Sequence, residues 1–348
     1  MKEKIKTICI VAGSSGGHIL PGIAYAAKLR QCGQARVICI TTKKDLDRKI
    51  VAQHDWVIHC PLAIKNFPGL RLRLLPWSCS FVWAIIKSFY YLTRYRVNSV
   101  MSMGGYISLP VWCASKMLFK NFEAYELNVV PGKAIKTLAR LRVVIRGCFE
   151  QTKRYLPART KFVLSSYPIR FNSTHKKSSA QAREMLQIPL DRFVICVVGG
   201  SQGSTFLNTL MGKITEKFSG STFFDKSALF IIHQTGSDAV AEIQAMYQNA
   251  GIDALVASYF EQIENVLQAA DCVVSRSGAG VLAELDYFKC KAALLPLYSS
   301  ETMHQYDNAL QYVMRKPDQY ALFDQRVVER DPQTLYQWFE KVYANKKS

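Results

Sequence analysis

The chain's 348 residues exceed what a single core usually supports, and its 49% hydrophobic content is enough to bury two, so two domains of similar size are expected. Its formal net charge of +19 lies wholly in the first half: residues 1–160 hold 26 Lys/Arg against 7 Asp/Glu, while residues 161–348 hold 19 of each. A charge confined to one half, without interleaved aromatic and basic residues, argues against a nucleic-acid partner and for an anionic membrane or an anionic substrate.

Ten cysteines run from Cys9 to Cys290 with no C-x-x-C pair, so they read as the reduced thiols of a cytosolic protein rather than a disulfide framework or a metal site. The basic start MKEKIKTICIVAG runs straight into a glycine loop and has no small-residue cleavage site, which makes it a first strand rather than a signal peptide.

That first strand ends in Gly13-Ser14-Ser15-Gly16-Gly17-His18, ahead of a helix from about Pro21 to Cys32. Glycines let backbone N–H groups approach a phosphate or a sugar, and the helix behind them adds the positive end of its dipole. His18 stands where an imidazole can act as a base near neutral pH; the bland alternative is a histidine that caps the helix. A second strand, ARVICITT, is followed by Asp45-Leu46-Asp47, formally a metal-binding D-x-D. Neighbouring Lys43, Lys44, Arg48 and Lys49 compete for those carboxylates, so the motif reads as a helix N-cap and no metal site is expected.

The segment Leu74 to Leu92 is too short to span a bilayer before Lys87 interrupts it. It reads either as a buried helix or as an interfacial element, with Leu75, Trp77, Phe81 and Trp83 in the headgroup layer among flanking arginines and lysines. The strand NSVMSM then ends in a second glycine turn, Met103-Gly104-Gly105-Tyr106, on the same rim as His18.

The polar run Asn172 to Arg183 marks the linker, after which the strand-and-glycine pattern restarts in RFVICVVGG. Ile8–Gly17 and Ile195–Gly203 are one device used twice, a buried strand ending in a glycine turn that opens a helix, which implies two Rossmann-like domains. Gly199-Gly200-Ser201-Gln202-Gly203 can cradle a diphosphate. Arg276-Ser277-Gly278-Ala279-Gly280-Val281-Leu282-Ala283-Glu284 places small residues at a helix start for a diphosphate and a carboxylate farther in for ribose hydroxyls. In the later loop His304 to Asn308, amides and hydroxyls suit a neutral sugar.

Taken in order, GSSGGHILPG, MGGYIS, ELN, YPIR, GGSQG, HQTG, RSGAGVLAE and HQYDNA resemble the MurG family, the UDP-N-acetylglucosamine:lipid I N-acetylglucosaminyltransferases of peptidoglycan synthesis, over nearly the whole chain. The resemblance implies an α/β GT-B fold, two Rossmann-like domains with parallel sheets facing across a cleft. It implies an acceptor- and membrane-binding domain over 1–165, a UDP-GlcNAc-binding domain over 166–335, and a tail over 336–348 packing back toward the first domain. The implied reaction is inverting transfer of GlcNAc to the MurNAc 4-hydroxyl, with His18 or Glu126 as base. Donor contacts would come from Ser15, Gly16, Gly17, Asn128, Arg170, Ser201, Phe260, Ala279 to Glu284 (including Gly280, Val281, Leu282 and Ala283) and Gln305. Acceptor contacts would come from Gly104, Gly105, Tyr106 and Asn128.

By the same resemblance no cofactor is required and a divalent ion only stimulates. The partners would be UDP-GlcNAc, a lipid-linked MurNAc-pentapeptide, an anionic membrane surface and other cell-wall or division proteins. The location would be peripheral, on the cytoplasmic face of the bacterial inner membrane. The chain departs from the family pattern at Ser14-Ser15, at Tyr125 and Leu127 flanking Glu126, and at His304 and Asp307. A diacylglycerol glycosyltransferase and a non-catalytic membrane-associated scaffold are the rival readings.

Overall fold

The computed structural model describes residues 6–13, 16–31, 35–64, 74–200, 203–236, 239–298 and 304–347. The chain divides into two compact units, Met1–Arg170 and Phe171–Ser348, with the break five residues beyond the expected boundary at 165.

The first unit is built on a seven-stranded sheet in the order β3-β2-β1-β4-β5-β6-β7. Its strands are β1 (Lys6–Val11), β2 (Ala35–Thr42), β3 (Val57–Leu62), β4 (Ser99–Ser102), β5 (Asn121–Glu126), β6 (Val144–Gly147) and β7 (Phe162–Leu164). Every adjacent pair runs parallel, so each crossover carries a helix or a long loop over a sheet face. The helices are α1 (Gly16–Gln31), α2 (Asp45–Ala52), α3 (Leu74–Arg94), α4 (Ser108–Met117) and α5 (Lys133–Arg140). α1 starts five residues earlier than Pro21 predicts, and Pro21 lies buried inside it. One residue on, a Cβ on Gly22 would come 2.7 Å from Ile10 Cγ2, so only glycine lets α1 lie this close to β1.

The second unit repeats the winding in a six-stranded parallel sheet, β10-β9-β8-β11-β12-β13. Its strands are β8 (Phe193–Val198), β9 (Leu229–Gln234), β10 (Asp253–Ala257), β11 (Cys272–Ser275), β12 (Ala292–Leu294) and β13 (Tyr320–Leu322). Its helices are α6 (Ser179–Met185), α7 (Thr205–Ser219), α8 (Val240–Asn249), α9 (Ile263–Ala269), α10 (Ala279–Tyr287), α11 (His304–Arg315), α12 (Gln325–Arg330) and α13 (Gln333–Lys347). All six residues of β8 are buried, as a continuous apolar run in a doubly covered sheet requires. The terminal helix α13 buries Leu335, Tyr336, Phe339, Val342 and Tyr343 in this unit's own core, whereas the sequence reading sends the tail to the first domain. The aromatic ladder explains it: the Phe339 ring lies 5.7 Å from that of Phe218, and the Tyr343 ring 5.0 Å from that of Phe193. The nine cysteines among the described residues are unbridged thiols.

Candidate active site

β1 and β4 are neighbours in the first sheet although β2 and β3 intervene in sequence. The chain therefore leaves their C-terminal ends in opposite directions and opens a crevice, the place where such sheets bind ligands. There the two glycine loops meet: a Cβ on Gly105 would lie 3.7 Å from the Gly13 carbonyl oxygen and 3.9 Å from His18 Nδ1. Gly104 and Gly105 hold φ of +90° and +81°, a region other residues enter only at a cost. The turn is pinned from below, where Ser108 Oγ donates to the Gly104 carbonyl at 2.8 Å and Gly104 N–H donates to Ser102 Oγ at 3.2 Å.

Gly16 and Gly17 open α1, so half-buried His18 stands inside its first turn and not at a cap. Tyr106 follows the second turn half-buried, and burial raises its phenol above the ordinary range. Ser15 lies outside the described residues.

Glu126 ends β5 and is 4% exposed. One oxygen accepts from the N–H (2.9 Å) and the side-chain amide (3.3 Å) of Asn128, and the other accepts from Gly132 N–H at 2.9 Å. Burial raises its carboxyl above the usual range, while these bonds pull it the other way. Both oxygens thus have a structural task, anchoring the loop that displays Asn128. Tyr125 and Leu127, each 3% exposed, point into the core, and the Tyr125 hydroxyl donates to the Ser166 carbonyl at 2.6 Å. Their apolar character therefore removes nothing from the surface of this loop. Arg170 is exposed at the last position of the first unit.

The D-x-D has another job than capping. Lys44 occupies the N-cap of α2 without a side-chain bond, and Asp47, fully buried, accepts from Thr42 N–H (3.0 Å) and Thr42 Oγ1 (2.5 Å). It ties α2 to the end of β2 beneath Gly13, where an added Cβ would strike Thr42 Cγ2 at 2.9 Å.

α3 has one buried face and one exposed apolar face. Ala84, Ser88 and Leu92 are fully buried on one face, while Val82, Trp83, Ile86, Phe89 and Tyr90 form an exposed row on the other. Of the residues expected at a membrane, Trp83 belongs to that row at 58% exposed. Trp77 and Phe81 are half-buried and stack on each other at 5.2 Å, and the Leu75 side chain lies outside the described residues. Among the described residues no helix is long and apolar enough to cross a membrane.

In the second unit β8 and β11 repeat the crevice. Gly200 and Gly203 hold φ of +91° and +72°, and a Cβ on Gly203 would strike the Thr235 carbonyl oxygen at 2.3 Å, so Gly203 is pressed against the end of β9. Ser201 lies outside the described residues. Gln234, at the end of β9, gives its Nε2 to the Gly200 carbonyl at 2.7 Å and takes the Phe260 N–H on Oε1 at 3.2 Å. One amide thus joins the glycine turn to half-buried Phe260, the position expected to meet a nucleobase.

α10 starts at Ala279 behind Gly278, whose N-cap position offers no side-chain acceptor to the first-turn N–H groups of Ala279, Gly280 and Val281. Leu282 and Ala283 are buried and fix the helix to the sheet, and Glu284 is half-buried on the next turn. Gln305, in the first turn of α11, accepts from Leu297 N–H on Oε1 at 3.0 Å, and its carbonyl accepts from Ser277 Oγ at 2.9 Å, which fastens α11 to the loop before α10.

Arg276 is the residue whose role the sequence does not disclose. It is 6% exposed, and its guanidinium donates to Ser204 Oγ (3.2 Å), the Leu295 carbonyl (3.1 Å) and Gln325 Oε1 (2.8 Å), all uncharged. No carboxylate pairs with it among the described residues, and burial pushes its pKa down to about 10, so it stays cationic at neutral pH. A buried cation without an anion is expensive, and it sits directly before a helix N-terminus. Motif context alone flagged Arg276 and Gln234; their bonds to distant loops carry no local signature.

Residues 8–145 match the glycosyltransferase family 28 N-terminal domain and residues 194–348 the glycosyltransferase family 28 C-terminal domain. The UDP-N-acetylglucosamine–N-acetylmuramyl-(pentapeptide) pyrophosphoryl-undecaprenol N-acetylglucosamine transferase of Desulfotalea psychrophila is 32% identical over 90% of this chain and 83% of its own. The enzyme of the same name from Halorhodospira halophila is 31% identical over 88% of this chain and 81% of its own. The crystal structure of Acinetobacter baumannii MurG superposes with a TM-score of 0.73 at 22% identity, covering 98% of this chain and 91% of that one, which shows the GT-B fold of two Rossmann-like domains. With both halves matched in order and this identity over nine-tenths of its length, the chain belongs to the glycosyltransferase family 28 UDP-N-acetylglucosamine–N-acetylmuramyl-(pentapeptide) pyrophosphoryl-undecaprenol N-acetylglucosamine transferases.

Proposed function

We propose that the chain transfers GlcNAc, with inversion, from UDP-GlcNAc to the 4-hydroxyl of an undecaprenyl-pyrophosphoryl MurNAc-pentapeptide. The observation that supports this reading most is the buried guanidinium of Arg276, which no carboxylate pairs among the described residues, three residues before the start of α10, because a diphosphate is an anion that both would favour. In this reading the α10 N-terminus meets the diphosphate, Glu284 the ribose, Phe260 the uracil and Gln305 the sugar hydroxyls. His18 takes the proton of the acceptor hydroxyl as its oxygen bonds to the anomeric carbon. The bond from that carbon to the diphosphate breaks, and its electron pair leaves on UDP, where α10 and Arg276 stabilise the new charge. Glu126 is the weaker candidate base because its oxygens already hold backbone N–H groups. The site needs no cofactor, and a divalent ion acts at most as a stimulant.

The same reading places the protein peripherally on the cytoplasmic face of the inner membrane. The exposed row of α3 and the basic first half support it, and attachment to phosphatidylglycerol vesicles should weaken with added salt.

The test is turnover of a lipid-linked MurNAc-pentapeptide with UDP-GlcNAc, UDP-glucose and UDP-GalNAc. UDP-GlcNAc should be strongly preferred, and His18→Ala should lower kcat by about 10²–10⁴-fold with UDP affinity unchanged. Equal use of all three donors would defeat the donor assignment, and parental kcat in His18→Ala would remove His18 as the base.

A further inference from the structure

The second unit has a cavity of about 440 Å³ away from the crevice just described. Its walls come from Lys176 and Lys177 before α6, from the end of α9, and from the segment Tyr287 to Lys291 that closes α10 and leads into β12. α9 leads into the first residue of β11 and α10 into the first residue of β12, so the cavity lies at the N-terminal ends of these strands. The glycine turn and the start of α10 follow the C-terminal ends, on the opposite edge of the sheet.

The chemistry of this cavity is one-sided. Lys176, Lys177, Lys289 and Lys291 line it, although the second half of the chain is balanced in charge overall. The carboxylate in its lining, Asp271, is already answered twice, by Arg183 at 2.8 Å and Lys346 at 2.7 Å. The C-terminal ends of α9 and α10 contribute roughly half a negative charge each, together about the charge that one of the four lysines would offset. The remaining positive charge has no counterpart in the cavity wall.

The lysines surround a fixed aromatic pair. Tyr287 and Phe288 meet at 5.0 Å, Phe171 packs on Phe288 at 4.9 Å, and the Lys176 ammonium stands 4.7 Å above the Tyr287 ring. Lys177 is held in place by its Nζ bond to Asn265 Oδ1 (2.9 Å) and its N–H bond to Gln268 Oε1 (2.7 Å). A size of this order suits a small molecule or a single headgroup.

We propose that this cavity is a second anion site, separate from the donor site, which takes a phosphate ester with its phosphate among the lysines and its apolar or planar part against Tyr287 and Phe288. A free phosphate ester and an acidic lipid headgroup share that chemistry. The experiment is lysine acetylation footprinting of the full chain with the donor site saturated by UDP, using phenyl phosphate as one probe and phosphatidylglycerol or phosphatidylcholine vesicles as the others. Lys176, Lys289 and Lys291 should be protected at least about fivefold more than Lys213 and Lys226. Protection by phenyl phosphate assigns a soluble ligand; protection by phosphatidylglycerol vesicles alone assigns a headgroup. The double variant Lys176→Gln/Lys289→Gln should lose about 25-fold in affinity for the protecting probe and keep its UDP affinity. No protection, equal protection of Lys213 and Lys226, or an unchanged affinity in the double variant would overturn the site.

Discussion

The backbone of Gly105 lies against the imidazole of His18, close enough that a single added methyl would sit 3.9 Å from Nδ1. With φ at +81°, Gly105→Ala also strains the turn, by about 1 kcal/mol. The variant should fold, with kcat reduced about tenfold or more and UDP affinity unchanged, because the damage is confined to the first unit. Steady-state kinetics beside UDP titration checks this, and a parental kcat would show that the second glycine turn does not position His18.

Glu126 is predicted to matter for folding before it matters for chemistry. Glu126→Ala leaves the Asn128 and Gly132 N–H groups without their acceptor and should cost about 3 kcal/mol, read as a lower thermal midpoint. His18→Ala should show no such loss. If Glu126→Ala keeps the parental midpoint while losing all turnover, Glu126 is the base and the anchoring role is wrong.

Gln234 joins Gly200 to Phe260, so its removal should loosen together two segments proposed to hold the donor. Gln234→Ala should weaken UDP binding by about tenfold, while Gln234→Glu, which keeps an acceptor for Phe260 N–H but loses the donor to Gly200, should fall between. Isothermal titration of the three proteins decides it; equal affinities would remove Gln234 from the donor site.

His233 gives the second unit an acid sensitivity of known sign. It is fully buried, with Nε2 3.1 Å from Asn208 Oδ1 and Nδ1 2.9 Å from the Tyr247 hydroxyl, and burial pushes its pKa down to about 4. Between pH 6.5 and 4 the unfolded chain binds a proton that the folded chain refuses, so stability falls as pH falls, by at most about 3 kcal/mol. Urea unfolding midpoints from pH 7 to 4.5 should drop more steeply for the parent than for His233→Gln, and parallel curves would count against the assignment.

The strands and glycine turns were legible because a buried strand ending in glycines announces itself over a few adjacent residues. The start of α1 was not, since Pro21 signals a first turn and Gly16 and Gly17 are weak helix formers, yet the helix begins at Gly16. Nor was the phase of α3. Trp77, Phe81 and Trp83 are alike in sequence, and only the seating of Ala84, Ser88 and Leu92 on the sheet decides that Trp83 faces outward. The anchors Glu126, Gln234 and Arg276 lie beyond local reading altogether, because their partners are set by loops that meet only when the sheet is assembled.

Each sheet closes over a hydrophobic core drawn wholly from its own half of the chain, which bears on how the protein is made. Translation proceeds from the first half, and at about 5–20 residues per second the 178 residues after Arg170 take roughly 9–36 s to add. The first half can complete its sheet within that interval. The exposed row of α3 is then displayed on a finished domain while the half that carries Arg276 is still being synthesised, so a ribosome pausing in that stretch would hold a nascent chain with its exposed apolar row already in place.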